Sequence, residues 1–253
     1  MKIAVAGKGG TGKTTIAAAL ARTYAAEGRD VLAIDIDPDA NLGSALGFSD
    51  DDLAGIIPVT EMRELVLDAS AADELGKIYR PGARIAEIPD RFAKEVGGMR
   101  LLLLGGIDAA GRGCKCPEHT LVRRIVGNLA LAPGDTVIMD MEAGLEHLAR
   151  GTADGADAFV IVVEPGARSA KTYRDAKRLA GQLGIGCIGV VANKVRSEAD
   201  EEFVRGFVPE SELMCFIPWD ESIMEADRSG TSPCDASAAL MEGVAVLKAH
   251  LEG

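Results

Sequence analysis

Nine residues near the start have the types and spacing to do chemistry. Gly7-Lys8-Gly9-Gly10-Thr11-Gly12-Lys13-Thr14-Thr15 follows the apolar run Ile3-Ala4-Val5-Ala6 and precedes the helix-forming run Ile16 to Ala26. From Gly7 to Thr14 the pattern G-x-x-x-x-G-K-[ST] is met in full. Gly9, Gly10 and Gly12 let the backbone curl, so that successive N–H groups point inward at phosphate oxygens. The start of the helix adds its partial positive charge. Such a loop holds the phosphates of ATP or ADP with Gly9, Gly10, Thr11, Gly12, Lys13, Thr14 and Thr15. Lys13 reaches the β- and γ-phosphates, and the Thr14 hydroxyl ligates Mg2+.

Two acidic strand ends could serve the same phosphates. Val31-Leu32-Ala33-Ile34 delivers Asp35, Asp37 and Asp39, and Thr136-Val137-Ile138-Met139 delivers Asp140. Acidic groups at the C-terminal ends of parallel strands lie where α/β sheets bind ligands. An apolar strand ending in Asp suits a carboxylate that binds Mg2+ through water, which makes Asp140 the candidate. A different chemistry is offered by Gly111-Arg112-Gly113-Cys114-Lys115-Cys116-Pro117-Glu118-His119. Two cysteines spaced C-x-C in a glycine-rich turn can aim both sulfurs at one centre, and thiolates suit Zn2+, Ni2+ or an iron–sulfur cluster. Two ligands do not close a tetrahedral site. His119 is either a third ligand or a polar residue in the first turn of the helix that Pro117 opens. His147 is open in the same way, as a ligand, a base or a plain helix residue.

The elements that must position these groups alternate between strand and helix. Apolar runs at Ile3–Ala6, Val31–Ile34, Leu101–Leu104, Thr136–Met139, Ala158–Val163 and Gly189–Ala192 read as buried strands. Ser169 reads as the cap of a helix from Lys171 to Leu183, and residues 197 to 206 and 236 to 252 read as helices. Cys187 and Cys215 fall in apolar runs and read as core residues; Cys234 falls in a loop. Residues 49 to 99 read as a surface insertion that could form an edge hairpin or a lid. Within it Thr60–Asp68 has helical spacing and Arg84–Pro89 alternates as a short strand. The whole predicts one α/β domain over residues 1 to 253: a mostly parallel twisted sheet of seven to eight strands with helices on both faces.

Composition narrows the function classes. The chain has 253 residues, 47% of them hydrophobic, and a formal net charge of -12. A protein that holds DNA needs a basic surface, so this balance argues against a nucleic-acid partner. No apolar run approaches the roughly eighteen residues needed to cross a bilayer. The first strand leads straight into the glycine loop, with no secretion-signal pattern, and the expectation is a cytoplasmic protein. Five cysteines, an odd number, argue against a disulfide framework.

Lys8 adds a second lysine inside the loop, in the order Lys-Gly-Gly-x-Gly-Lys-Thr. Here the chain resembles the deviant Walker A ATPases, the P-loop NTPase family that holds MinD, ParA, the nitrogenase iron protein and the arsenite-pump ATPase. The resemblance implies a homodimer in which Lys8 reaches across to the partner's nucleotide and joins Lys13, Asp37 and Asp140 as a catalytic group. It implies that Asp37, Pro38 and Asn41 form the first switch, with Asp37 holding the attacking water or a Mg2+-bound water, and that Gly144 lets a second switch respond to the γ-phosphate. It implies that Asn193 reads the adenine edge and Pro218 lies against the ring. An isologous dimer would also bring two C-x-C turns together, so that Cys114 and Cys116 of both copies supply four thiolates.

The C-x-C-P turn before a helix, with Asp140-Met141-Glu142-Ala143-Gly144 and then Glu146-His147-Leu148, narrows the resemblance to the CooC-type accessory ATPases that insert nickel into carbon monoxide dehydrogenase. That implies ATP or ADP, Mg2+ and a nickel or zinc ion as ligands, and a carbon monoxide dehydrogenase or acetyl-CoA synthase as client. Two other readings stay open. A MinD- or ParA-type positioning ATPase would bind DNA or a membrane; a terminal helix whose only lysine or arginine is Lys248 speaks against the membrane. An iron–sulfur electron-transfer ATPase would need cysteines well separated in sequence, and none lies between Cys116 and Cys187.

Overall fold

A computed structural model describes residues 1–37, 39–62, 87–105, 121, 124–129, 131–141 and 155–253. Pro38, Cys114, Cys116, His119, the Glu142–Gly144 segment, His147 and most of the expected Thr60–Asp68 helix lie outside the described residues.

Eight strands among the described residues form one sheet: β1 Lys2–Gly7, β2 Val31–Asp35, β3 Lys94–Val96, β4 Met99–Leu103, β5 Thr136–Asp140, β6 Ala158–Val163, β7 Cys187–Val195 and β8 Leu213–Pro218. Their order across the sheet is β3-β4-β2-β5-β1-β6-β7-β8. Every neighbouring pair is parallel except β3 and β4. The inner strands β1, β2, β5 and β6 are apolar almost throughout because both of their faces are covered.

Side chains alternate between two cores. Ala4, Ala6, Leu32, Ile34, Met139, Phe159 and Ile161 pack on one face with Tyr173, Ala176 and Leu179 of helix Ala167–Gln182. Ile3, Val5, Val31, Ala33, Ile138, Val160 and Val162 pack on the other. There they meet helix Lys13–Ala26 and the C-terminal helix Ala238–Glu252, whose Leu240, Val244 and Leu247 are buried as their spacing predicts. The expected three-layer α/β architecture is therefore the one observed.

Two local expectations are corrected. The short strand expected at Arg84–Pro89 is not formed over its described residues, 87–89: Ile88 and Pro89 open helix Ile88–Phe92, and residues 84–86 lie outside the described residues. Proline has a fixed φ and no N–H, which suits a helix's first turn better than a strand interior. The edge hairpin comes later, as β3 and β4 joined by Gly97 and Gly98, both at positive φ (60° and 78°), the geometry a two-residue turn requires. Nor does Ser169 cap its helix. The helix starts at Ala167 with Gly166 extended before it, and the Ser169 hydroxyl accepts the Glu164 N–H across the turn.

Candidate active site

The sheet register brings the chemical residues together. Asp35 on β2 stands beside Asp140 on β5, and Asp140 stands beside Val5 on β1, so the glycine loop leaving β1 rises over two carboxylates. The loop is held from inside. The Lys8 carbonyl accepts the Thr11 N–H at 3.2 Å and the Thr11 hydroxyl at 2.8 Å, which leaves Thr11 buried and Lys8 exposed at the crown. Gly12 adopts the left-handed conformation, with φ 92°, directly before helix Lys13–Ala26. Lys13 is 6% exposed, so its ammonium sits within the fold and not in bulk water.

Thr14 and Asp140 meet below the loop. Thr14 first, and then the Lys13 charge, draw the Asp140 carboxyl down. Burial nonetheless outweighs both and pushes the Asp140 carboxyl up to about 6, with Asp37 adding to the rise. One oxygen of Asp140, Oδ1, is buried without a hydrogen-bond partner. The Thr14 hydroxyl and the Asp140 carboxylate, one oxygen of which is orphaned, are oxygen donors that fit a hard cation such as Mg2+.

Asp35 fastens the loop that carries Asp37. Its two oxygens accept the Asp37 N–H at 3.0 Å and the Leu42 N–H at 2.9 Å, so one buried carboxylate pins both ends of the 37–41 segment. Asp37 in turn accepts the Asp39 N–H at 3.0 Å. Asp39 is exposed, in keeping with a turn residue. Burial, then the neighbouring Asp140 charge, raise the Asp35 carboxyl to about 7 against those two backbone bonds.

Both buried carboxyls ordinarily titrate near 3.8. Between that value and their folded values the native state holds more protons than the unfolded chain, so these groups make stability fall as pH rises through roughly 4 to 7. The nucleotide-free protein is expected to melt at a higher temperature at pH 5 than at pH 8. The difference should be on the order of 2–4 kcal/mol. ADP with Mg2+ should flatten the slope, since a cation favours the ionised carboxylates. Thermal melts across that range check it; a flat or rising profile without nucleotide contradicts it.

A cavity of about 420 Å³ opens beside the loop. Gly10, Gly12, Lys13, Thr14 and Thr15 form its floor, Asn41, Ser44 and Ala45 one wall, and Ile223, Met224, Asp227, Thr231 and Pro233 the other. The walls are tied together. The Ser232 hydroxyl donates to the Ala45 carbonyl at 2.6 Å and accepts from Arg22 at 3.2 Å, while Arg22 pairs with Asp235. Asn193 is 6% exposed. Its Nδ2 donates to the Thr11 carbonyl at 2.8 Å and its Oδ1 accepts the Lys194 N–H. Pro218 stands exposed at the end of β8.

The size and polarity of this cavity, a phosphate loop at one end and an apolar wall at the other, suit a nucleoside triphosphate. The family described as CobQ/CobB/MinD/ParA nucleotide binding domain matches residues 2–233. The chain belongs to that family. As a CobQ/CobB/MinD/ParA domain it binds nucleotide and is an ATPase. It is 42% identical over 252 residues to the carbon monoxide dehydrogenase accessory protein CooC of Rhodospirillum rubrum, covering 99% of this chain and 96% of that one. It is 36% identical over 235 residues to an uncharacterized ATP-binding protein of Methanocaldococcus jannaschii, covering 91% of this chain and 90% of that one. A ParA family ATPase structure from Chlorobium tepidum superposes with a TM-score of 0.70 at 20% identity, covering 97% of this chain and 98% of that one. The cell division ATPase MinD of Pyrococcus furiosus does so with a TM-score of 0.66 at 22% identity, covering 100% and 98%. Those two likenesses show the CobQ/CobB/MinD/ParA fold.

The floor of the cavity is made of residues that the glycine-loop pattern names, and most of its walls are not. The 223–233 segment carries no nucleotide pattern; its one visible signal was the turn chemistry of Gly230-Thr231-Ser232-Pro233. Lys194, which also lines the cavity, belongs to no such pattern either. Of the three described cysteines, Cys215 and Cys234 are buried: burial pushes the Cys215 thiol up to about 12 and raises that of Cys234, which keeps both protonated, while Cys187, expected in the core, is half-buried against it. No helix among the described residues is long and apolar enough to cross a membrane.

Proposed function

We propose that this protein is an ATP-hydrolysing metallochaperone that delivers nickel to the active-site cluster of a carbon monoxide dehydrogenase or acetyl-CoA synthase. The observation that carries the reading is the nearly end-to-end 42% identity to a protein named as a carbon monoxide dehydrogenase accessory protein. The C-x-C turn at Cys114 and Cys116 supports it, because a metal carrier needs soft ligands.

In this reading ATP lies in the cavity with its phosphates on the N–H groups of residues 9, 10 and 12 to 15, the Thr11 N–H being taken by the Lys8 carbonyl. Lys13 neutralises the β- and γ-phosphates, and Thr14 with Asp140 would hold Mg2+, which supplies charge stabilisation. Asp37, on the loop that Asp35 fastens, places the attacking water. The base lies against Ile223, Met224 and Pro233; Asn193 at the adenine edge and Pro218 against the ring are roles taken from the family resemblance, and neither residue lines the cavity here. Lys8 crosses to the partner's nucleotide in a homodimer, and the cargo metal sits between the two Cys114–Cys116 turns. Closure on ATP and reopening on hydrolysis then give the two nucleotide states different metal affinities.

The test is metal binding under anaerobic, reducing conditions, with oligomeric mass read in the same samples, with ADP or a non-hydrolysable ATP analogue. One nickel or zinc ion per dimer is expected, with affinity that changes with nucleotide. Cys114→Ser and Cys116→Ser should each weaken it by at least about 10²-fold while nucleotide-driven dimerisation persists. Dimerisation with no tight metal in any nucleotide state would sink the metallochaperone reading. Visible absorption bleached by dithionite would point to electron transfer, and ATP-dependent, salt-sensitive binding to DNA or anionic vesicles to a positioning ATPase.

A further inference from the structure

Lys194 is the one non-glycine residue at positive φ (60°) among the described residues. It sits in β7 where the pairing with β8 shifts register between Ala192 and Val195. A lysine gains nothing from the left-handed region by itself, so something in the surroundings holds it there. Its ammonium donates to the Gly10 carbonyl and pairs with Glu164 at 2.6 Å. Glu164 is placed by its own N–H, which donates to Ser169 at 3.1 Å. The residue before, Asn193, donates to the next carbonyl of the loop, that of Thr11. Two adjacent side chains at the end of β7 thus grip two adjacent carbonyls of the phosphate loop.

Each peptide unit is planar and trans, so fixing a carbonyl on one side turns the following N–H to the other. With the Gly10 carbonyl held by Lys194, the Thr11 N–H turns inward to the Lys8 carbonyl. With the Thr11 carbonyl held by Asn193, the Gly12 N–H turns away from Asn193. We propose that Lys194, braced by Glu164, is a positioning residue for ATP hydrolysis: by holding the Gly10 carbonyl it closes the Thr11 N–H onto the Lys8 carbonyl and, beside the Thr11 plane that Asn193 holds, fixes the curl of the loop, so that the N–H groups left free on either side of Thr11 are in place for the transferring phosphoryl group before nucleotide arrives. Aligned donors matter most where charge builds up in the transition state, and less for holding a bound nucleotide. Lys194 also lines the cavity, so direct nucleotide binding by its ammonium is the competing role to be separated.

The two roles split kcat from affinity. Lys194→Gly is the informative variant, because glycine accepts the left-handed backbone and removes only the side chain. We expect its thermal stability to be unchanged or slightly raised, its kcat for ATP to fall about 10-fold or more, and its Kd for a fluorescent ADP to stay within about 3-fold. Lys194→Arg, which keeps a cation in reach of both partners, should recover kcat to within about 3-fold of the parent. Glu164→Gln should lower kcat less, and adding it to Lys194→Gly should cost nothing further, since the brace has then lost what it holds. Parental kcat in Lys194→Gly would overturn the proposal. So would ADP affinity falling in step with kcat, which is the signature of direct binding, or additive effects of the two substitutions.

Discussion

Gly12→Ala is expected to abolish detectable nucleotide binding and to lower the melting temperature of the nucleotide-free protein. Two costs coincide at this position. At φ 92° an L side chain is strained, by about 1–2 kcal/mol. A Cβ built on Gly12 would also lie 2.4 Å from Asn193 Nδ2, closer than any real contact. Asn193 must then withdraw from the Thr11 carbonyl, which costs a further hydrogen bond of about 1 kcal/mol and releases the loop. Fluorescent-ADP titration should show affinity down by at least about 10²-fold, since the floor of the cavity can no longer hold its shape. A companion substitution separates the two costs. Asn193→Ala opens the space but does not change φ, so Gly12→Ala combined with Asn193→Ala should be less unstable than the sum of the single changes. Parental affinity in Gly12→Ala would show that the loop is remodelled when nucleotide binds, and that its geometry here is not the binding geometry.

Lys13→Met is expected to leave the fold standing and to reduce ATP turnover by on the order of 10³-fold. Methionine matches the length and slenderness of the stem, so the packing at the start of helix Lys13–Ala26 survives. What goes is a buried lysine beside Asp140 that the proposed function sets against the phosphates. Its loss also removes one of the two influences that hold the Asp140 carboxyl down, so that group should titrate higher still. The stability decline with pH should therefore move upward in the variant. Lys13→Arg should not rescue turnover, because a planar guanidinium cannot take the place of a compact ammonium in so tight a loop. Steady-state hydrolysis together with melts at several pH values checks both statements. Turnover above a tenth of the parent's in Lys13→Met would refute the assignment.

How much of this was legible in the chain differs from residue to residue. Lys13, Thr14, Asp37 and Asp140 were legible because local rules place them: a strand, a glycine turn and a helix start in one case, and an acidic residue at the end of an apolar strand in the others. The sheet followed for the same reason, since each buried strand declares itself in four to six residues. The boundaries that failed were those where a local signal had two uses. Ser169 looks like a helix cap and instead accepts from Glu164 inside the first turn. Arg84–Pro89 alternates like a strand, yet Pro89 opens a helix.

The α/β class, the phosphate loop with its nucleotide and the strand-end carboxylates could be read from the chain alone, because each is a contiguous pattern whose chemistry depends on near neighbours. Tertiary structure alone decided that Asp35 staples both ends of the 37–41 segment, that residues 223–233 wall the cavity opposite helix Leu42–Leu46, and that Asn193 and Lys194 grip the loop from across the sheet. Those contacts join residues that lie up to nearly two hundred positions apart. Their partners are set by strand order, and a carbonyl 182 residues away leaves no mark on the side chain that will bind it.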